Sequence, residues 1–213
     1  MSRHSPTARP LIAISVFLGL ALTGCAEEGT TFAAPHEVQA SMHGSMGPDL
    51  QPSELARILN DLRRHSAPWH NPDKAAEAGY TVEVGCSDER TEGLSAEEAR
   101  GMGYHAVNLD FFDPTGAVHL LQPQTLVYAL HAASGRFKLA GFDYFVPSAI
   151  RGPAGPAPVI AELDMPLMWN DAHDGWIAHI WLWMHNPDGM FENFNPDVPL
   201  CECEINPGQA LCT

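Results

Sequence analysis

The stretch GWIAHIWLWMH (Gly175–His185) holds three of the chain's five tryptophans and two of its eleven histidines. Turn signals flank it on both sides, and its aromatic content favours a β-strand. Because side chains alternate between two faces in a strand, His179 shares a face with Ile177 and Trp181. A buried imidazole there needs a partner, since an unpaired buried polar group costs about 1–3 kcal/mol. The opposite face is wholly apolar and predicts a core contact through Trp176, Ala178, Ile180, Leu182 and Met184.

The residues before this stretch predict the remainder of a sheet. TLVYALHAASGRFKLAGFDYFV (125–146) is typical of two β-strands joined by a turn at Ser134-Gly135. The Pro-rich segment RGPAGPAP (151–158) that follows cannot be a central strand. Alternation along the second strand places Asp143 on an otherwise apolar face that it shares with Phe137, Leu139, Gly141 and Phe145.

Helical signals precede the predicted strands. A Ser53 cap and the spacing of leucine and isoleucine predict one helix from Ser53 to about His65. Asn71 as a cap, Pro72 in the first turn and Gly79 as a stop predict a second, shorter helix. Ser95 begins a third, with a glutamate three residues later that completes a capping box. Helices followed by antiparallel strands predict an α+β fold, in which N-terminal helices pack on an antiparallel β-sheet. A small open barrel of the cupin or lipocalin type is the alternative.

The N-terminus is typical of a secretion signal. Arg3 and Arg9 flank the start of an apolar run, Leu11–Leu22, that is shorter than the about 20 residues of a membrane span. The LTGC that ends at Cys25 resembles the lipobox of bacterial lipoproteins. This resemblance implies cleavage before Cys25, acyl chains on that residue and stable membrane anchoring. An ordinary cleaved signal with an incidental cysteine is the alternative. Since Ala26 follows, the resemblance implies a lipid-anchored protein of the cell envelope, in the outer membrane of a Gram-negative host.

Composition and charge limit the classes of partner and indicate how the chain divides into segments. The net charge is −15, and signal cleavage removes two arginines and makes it more negative. Such a surface repels nucleic acid, so we expect no nucleic-acid partner. After the signal peptide (1–24), residues 25–51 lack periodicity and predict a flexible tether. Residues 52–213 predict a single α+β domain of about 160 residues, a normal size for one core.

Four cysteines lie beyond the predicted lipidation site, and secretion places them in an oxidising compartment. We expect two disulfides that pin the C-terminal tail to the domain. Cys86 pairs with Cys201 or Cys203 in this scheme, and the remaining cysteine of that pair bonds Cys212. The alternative is a thiolate metal site that uses the closely spaced Cys201 and Cys203.

Three histidines and one carboxylate are candidate ligands of a divalent transition metal. GMGYHAVN (101–108) places His105 after a glycine-punctuated turn, and His173 lies six residues before His179. Imidazole and carboxylate groups held by strands are a common ligand set for zinc, iron, manganese or copper. The predicted metal ligands are His105, Asp143, His173 and His179. Tyr104, Asn108 and His70 are candidates to hold those ligands in place by hydrogen bonds.

Two alternatives need no metal. Histidines near tryptophans are often core groups satisfied by their neighbours, and Asp143 then pairs with Arg136, Arg151 or His179. The other alternative is a metal-free pocket, since polar groups on apolar sheet faces also line small-molecule sites.

Three motifs together resemble a known family. They are GMGYHAVN (101–108), FDYFVP (142–147) and HIWLWMHNPDGMFENFNPDVPLC (179–201). They are similar to the GMGYHYVN and HVWLWxxNPxGMFxxxNPxVxC motifs of an uncharacterised family of secreted bacterial proteins, over roughly residues 55–201. The resemblance places His105, His179 and Cys201 on recurring motif positions and an acid, usually Glu, at Asp143. It implies no activity.

These observations predict a lipid-anchored cell-envelope protein whose His/Asp-lined pocket binds or senses a small ligand or a metal ion. The first alternative is a metal-dependent envelope enzyme of the oxidoreductase or hydrolase class. The second is a structural envelope protein without a ligand. Acyl transfer is not expected, because the chain has no nucleophile elbow with Ser, His and Asp partners.

Overall fold

The computed structural model describes residues 47–131 and 134–201. The predicted signal peptide and most of the predicted tether lie outside the described residues, as do Cys25, Cys203 and Cys212. Within the described part of the chain, no helix has both the length and the apolar character that crossing a membrane requires.

Two α-helices form the N-terminal part of the fold, as predicted. The first, α1 (Pro52–Ser66), buries Ile58, Leu59 and Leu62 along one side. It begins one residue before the predicted cap, because proline fits the first turn of a helix. A 3₁₀ helix, Ala67–His70, follows directly and buries its tryptophan. The second, α2 (Pro72–Glu77), begins where the side chain of its N-cap residue accepts a hydrogen bond of 2.9 Å from a backbone N–H.

The predicted third helix is wrong. Residues 95–98 form a turn in which the Ser95 hydroxyl donates to the Glu98 carboxylate at 2.8 Å instead of capping backbone N–H groups. Residues 95–98 are Ser, Ala, Glu and Glu, and the neighbouring Leu94 is 39% exposed. A helix here lacks the apolar face that would hold it against the core, so its capping signal is not sufficient.

The described residues contain eight β-strands, of which six form one antiparallel sheet in the order β1-β2-β3-β4-β8-β7. The strands are β1 (Val82–Asp88), β2 (Gly101–Val107), β3 (Thr125–His131), β4 (Arg136–Pro147), β5 (Val159–Ile160), β6 (Met165–Pro166), β7 (Met168–Asn170) and β8 (Gly175–Ile180). The short strands β5 and β6 pair separately. Because β1 and β7 are free edges, the sheet does not close into a barrel, and the fold is α+β with few helices.

Two strands depart from the sequence expectation. We expected His105 to follow a turn, but it lies within the strand β2, between β1 and β3 in the sheet. The strand β1 beside it was not foreseen, because its outer residues are exposed and it lacks an apolar face. Together with β3, β4 and β8 these strands place five chain segments side by side.

One face of the sheet packs against the helices. The main apolar core lies between them and includes Leu126, Tyr128, Phe142, Tyr144, Trp176, Ala178 and Ile180 from the strands and Ile58, Leu59, Leu62 and Trp69 from the helical region. The opposite face carries a row of residues paired across β2, β3, β4 and β8. In order these are Val107, Thr125, Asp143 and His179.

A bulge in β4 changes which residues share a face. Val127 pairs with Gly141 and Tyr128 pairs with Leu139, so Ala140 is an extra residue on β4. Leu139 consequently packs in the helical core, whereas Ala140 packs on the opposite side with Val127. The predicted common face of Leu139 and Asp143 is therefore wrong, because the alternation changes between them.

The strand β8 ends at Ile180, earlier than the predicted end at His185. The chain then crosses over Gly141, where a Cβ atom would lie 2.5 Å from the carbonyl oxygen of Ile180. The N–H groups of Trp183 and Met184 both donate to the carbonyl of Ala140, at 2.9 and 3.1 Å. Met184 packs on the face opposite the helical core as a result, and its predicted place in the core stripe is wrong.

A disulfide joins Cys86 on β1 to Cys201 at the end of the described chain, which settles the predicted alternative between Cys201 and Cys203. The buried carboxylate of Asp88 accepts hydrogen bonds from the Cys201 N–H at 2.9 Å and from the Arg90 side chain. Arg90 also donates to the Cys201 carbonyl at 2.8 Å. The pinned tail is thus confirmed for its first cysteine.

Candidate metal site

The strands β2, β4 and β8, with β3 between the first two, bring His105, Asp143 and His179 together on the face of the sheet opposite the helices. Asp143 and His179 are directly paired residues of β4 and β8. His105 pairs with Val127 and lies two residues along β2 from Val107, which belongs to the same cross-strand row as Asp143. It therefore shares a face with Asp143 and His179. The alternation of side chains therefore aims all three away from the helical core.

The ligand atoms of these three side chains all lie within 4.8 Å of one another. Nε2 of His179 is 4.0 Å from Oδ1 of Asp143, and the two imidazole rings have their centroids 6.3 Å apart. Two atoms bound to one ion at about 2.0–2.2 Å lie roughly 3–3.5 Å apart, so the side chains need to close by about an ångström to share an ion. Rotation of side chains is sufficient for a movement of that size.

Two of these atoms are buried without a partner. Oδ1 of Asp143 and Nε2 of His179 have no hydrogen bond to any of the described residues. Their separation of 4.0 Å is too long for a hydrogen bond. Leaving such atoms unsatisfied costs about 1–3 kcal/mol each. A ligand that bridges them removes this cost.

Burial sets the protonation of the group. It lowers the pKa of His105 to about 4, against the opposing effect of the Asp143 carboxylate. It also lowers the pKa of His179 to about 4. It raises the pKa of Asp143 to about 6, although His105 and His173 act in the opposite direction. Near neutral pH the site therefore presents two uncharged imidazoles and a largely ionised carboxyl group, which are the forms that bind metal ions.

His179 is held by residues outside its own strand. Its Nδ1 lies 3.4 Å from Oδ1 of Asn193, and donation of the Nδ1 proton leaves Nε2 free to bind an ion. The indole of Trp181 stacks on the imidazole with an interplanar angle of 15° and a centroid distance of 6.1 Å. Asn193 was not among the predicted residues, because it lies in an irregular segment where no periodicity indicates its direction.

The fourth predicted ligand, His173, lies in the turn before β8 and lines the same cavity. Its backbone N–H donates to the side chain of Asn170 at 3.1 Å. Its Nε2 atom is buried and has no partner among the described residues. His173 is therefore near the group of three but is not part of it.

The three predicted supporting residues are engaged elsewhere. Tyr104 precedes His105 on β2 and points to the opposite face, where its ring packs against Phe137 at 4.4 Å. Asn108 caps the 3₁₀ helix Leu109–Phe111 and donates to the Ala78 carbonyl at 3.0 Å. His70 packs against the ring of Trp183 at 4.5 Å. Of the side chains around the site, Asn193 has the geometry of the predicted supporting role.

The group opens into a cavity of about 410 Å³. Apart from the three candidate ligands and His173, its walls are mostly apolar and include no lysine or arginine. Arg151, predicted as an alternative partner of Asp143, instead donates to the Thr115 carbonyl at 3.0 Å. The cavity is lined in addition by Val84, Gly85, Cys86, Ser87, Met102, Val107, Phe112, Thr125, Phe145 and Ile177.

Comparisons were made with protein-family models, with curated proteins and with solved structures. None of the three finds a match for this chain. Its function is therefore inferred from the geometry of the site.

Proposed function

We propose that this protein binds one divalent transition metal ion through His105, Asp143 and His179. The observation that carries the proposal is the pair of buried, unpartnered atoms, Oδ1 of Asp143 and Nε2 of His179, which lie 4.0 Å apart. A structural His–Asp pair in a core closes to a hydrogen bond because unsatisfied polar atoms are costly. Here a third ligand atom, on His105, lies within 4.8 Å of both.

The ligand set indicates the class of ion. Two imidazoles and one carboxylate suit zinc, iron, manganese or copper, and they leave coordination positions open. A bound ion of this kind supplies a Lewis acid or, for iron and copper, a redox centre. The three side chains line the cavity, so a small molecule that enters it would reach a bound ion.

The location is part of the proposal. The LTGC motif that ends at Cys25 supports lipid anchoring to the cell envelope, with the outer membrane as the site in a Gram-negative host. The Cys86–Cys201 disulfide is consistent with an oxidising compartment. In this setting the domain binds or senses a metal ion or a small ligand outside the cytoplasm.

The cavity favours a second candidate, a metal-dependent envelope enzyme of the oxidoreductase or hydrolase class. Three protein ligands with open positions are typical of catalytic metal centres, whereas structural zinc sites are usually closed by four. Turnover of a small molecule by the metal-loaded protein, lost on treatment with a chelator, would distinguish this candidate from simple binding.

The proposal is tested by titrating the chelator-treated full chain with Zn²⁺ and Co²⁺ and comparing it with Asp143→Asn. We expect one ion per wild-type chain. Loss of a supporting hydrogen-bond partner typically weakens metal binding about 10–100-fold. Loss of a direct ligand in Asp143→Asn should weaken it by more than that. Asp164→Asn, at an exposed aspartate, is the matched control and should bind like wild type. Equal affinity of wild type and Asp143→Asn would reject the proposal.

A further inference from the structure

The charge of the metal-loaded cavity limits what else can bind there. A nitrogen that binds a metal carries no proton, so His105 and His179 are neutral in the complex, and Asp143 contributes one negative charge. A divalent ion then leaves the site with a net charge of about +1. The remaining cavity walls include no lysine, arginine, aspartate or glutamate to balance it. Because unpaired buried charge is costly, a monoanion completes the site and a dianion overcompensates.

Two further polar groups in the cavity have no hydrogen-bond partner among the described residues. Nε2 of His173 and Oγ of Ser87 are buried, line the cavity and have no hydrogen bond to any described residue. They come from different elements, the turn before β8 and the strand β1. A carboxylate places one oxygen on the ion and offers the second oxygen to such donors, which a halide or a thiolate cannot do.

The remaining wall is apolar and partly aromatic. Phe112 and Phe145 form an edge-to-face pair with ring centroids 6.3 Å apart, and Val84 at the wall is 65% exposed. An aromatic body bound here gains an edge-to-face or stacked contact in addition to the burial of apolar surface. The cavity volume of about 410 Å³ lies within the range of small-molecule sites.

We propose that the metal-loaded pocket binds a small monocarboxylate with an apolar, aromatic body. One carboxylate oxygen occupies an open position on the ion, the other accepts hydrogen bonds from His173 and Ser87, and the body packs on Phe112 and Phe145. This inference rests on the proposed function, since without the ion the anion has no opposite charge in the pocket.

The test is calorimetric titration of the Zn²⁺-loaded full chain with benzoate, with acetate, phosphate and benzyl alcohol as comparison probes. We expect benzoate to bind at one per chain, roughly tenfold or more tighter than each comparison probe, since each lacks at least one feature worth about 1.4 kcal/mol or more. Acetate lacks the aromatic body, phosphate lacks it too and is partly a dianion near neutral pH, and benzyl alcohol has no charge. Benzoate should also perturb the visible spectrum of the Co²⁺-loaded protein, because it binds at the ion.

Variants separate the walls from the metal. Ser87→Ala and Phe145→Leu should each weaken benzoate roughly tenfold while Zn²⁺ affinity stays unchanged, which also shows that each variant is folded. Phe137→Leu alters an exposed aromatic residue outside the cavity and should leave benzoate binding unchanged.

The outcomes distinguish the two proposals. A protein that binds Zn²⁺ but takes up no benzoate, or binds phosphate as tightly, overturns the monocarboxylate and leaves the metal site standing. Such a site holds water or hydroxide alone. A protein that binds no Zn²⁺ overturns both.

Discussion

Asp143 is the residue at which folding and function oppose each other. Its carboxylate is buried on the face of a sheet, directly opposite His179, and one of its oxygens has no hydrogen-bond partner among the described residues. Burial raises its pKa to about 6, so without a bound cation the ionised carboxylate destabilises the native state near neutral pH. A bound cation reverses the sign of this contribution.

We predict that Asp143→Asn stabilises the metal-free protein at pH 7. The pKa of Asp143 rises from 3.8 to about 6 on folding, so the native state holds the proton more tightly than the unfolded chain does. Compared with a residue that does not ionise, Asp143 leaves the free energy of unfolding unchanged below pH 4. Between pH 4 and pH 6 the free energy of unfolding falls, and above pH 6 it is lower by about 3 kcal/mol. Thermal unfolding in EDTA across this pH range measures the difference between wild type and variant.

The same comparison in excess Zn²⁺ is the control for that prediction. Wild type should then unfold at the higher temperature, because only the native state with its carboxylate binds the ion tightly. A wild-type protein that is more stable than Asp143→Asn at pH 7 in EDTA would show that the carboxylate has an unrecognised partner.

Asn193 is expected to act on the metal through His179. Its side chain lies 3.4 Å from Nδ1 of the imidazole and favours the tautomer with a free Nε2. Asn193→Ala should therefore weaken Zn²⁺ about 10–100-fold in competition with a coloured chelator. Asn60→Ala, at an exposed position on α1, is the control. Unchanged affinity of Asn193→Ala would remove Asn193 from the site.

Some residues of the site could be predicted from the sequence, and others could not. Alternation along two apolar segments pointed to His179 and Asp143 as polar groups that need an explanation, and the strand register confirms that they face each other. The role of Asn193 depends on the path of the loop after β8, and the direction of the Tyr104 side chain depends on the strand β2. Neither of these has a local pattern that fixes its place in the sheet.

At the scale of elements, the bulge in β4 and the end of β8 shape the open face of the sheet. Ala140 is the extra residue of the bulge, and its carbonyl accepts hydrogen bonds from Trp183 and Met184 as the chain crosses over Gly141. The crossing directs Trp181 onto the ring of His179. A glycine at 141 is needed because a side chain there would meet backbone atoms.

We predict that Gly141→Ala destabilises the protein by about 1–3 kcal/mol, since its Cβ would lie 2.5 Å from the Ile180 carbonyl oxygen. Gly152→Ala is the matched control, because no atom lies within 4 Å of a Cβ at that position, and it should change stability by less than about 0.5 kcal/mol. Denaturant unfolding measures both. Equal stability of the two variants would show that the crossing is not tight.

Elements were predictable where their apolar pattern was regular. The helices α1 and α2 and the strands β3, β4 and β8 follow from periodicity and capping signals. The third helix failed because a capping box without an apolar face does not hold a helix against a core. The strands β1 and β2 were missed because glycines interrupt them and because their neighbours in the sheet, rather than their own residues, stabilise them.

At the scale of the whole molecule, the C-terminal tail is fastened to the first strand of the sheet. The Cys86–Cys201 bond closes a loop with a sequence separation of 115 residues, and the Asp88 carboxylate accepts a hydrogen bond from the Cys201 N–H. Burial opposes ionisation of Asp88, but the hydrogen bonds from Arg90 and Cys201 outweigh it and lower its pKa. Just before the disulfide, Val198 packs with Val127 and Ala140 on the face that carries the metal site.

Removing this bond should destabilise the protein by about 2–5 kcal/mol, because the unfolded chain regains the freedom of a long loop. The double variant Cys86→Ala with Cys201→Ala tests this by denaturant unfolding, and the wild type in reductant should lose a similar amount. A double variant as stable as the oxidised wild type would show that hydrogen bonds and packing alone hold the tail.

The three candidate metal ligands converge between β2, β4 and β8. Crystals of the protein soaked in Zn²⁺ and measured at the zinc absorption edge locate the ion by its anomalous signal. We predict one peak at about 2.0–2.2 Å from a nitrogen of His105, a nitrogen of His179 and an oxygen of Asp143. A fully soaked crystal with no peak there, or with its peak at other residues, would contradict it.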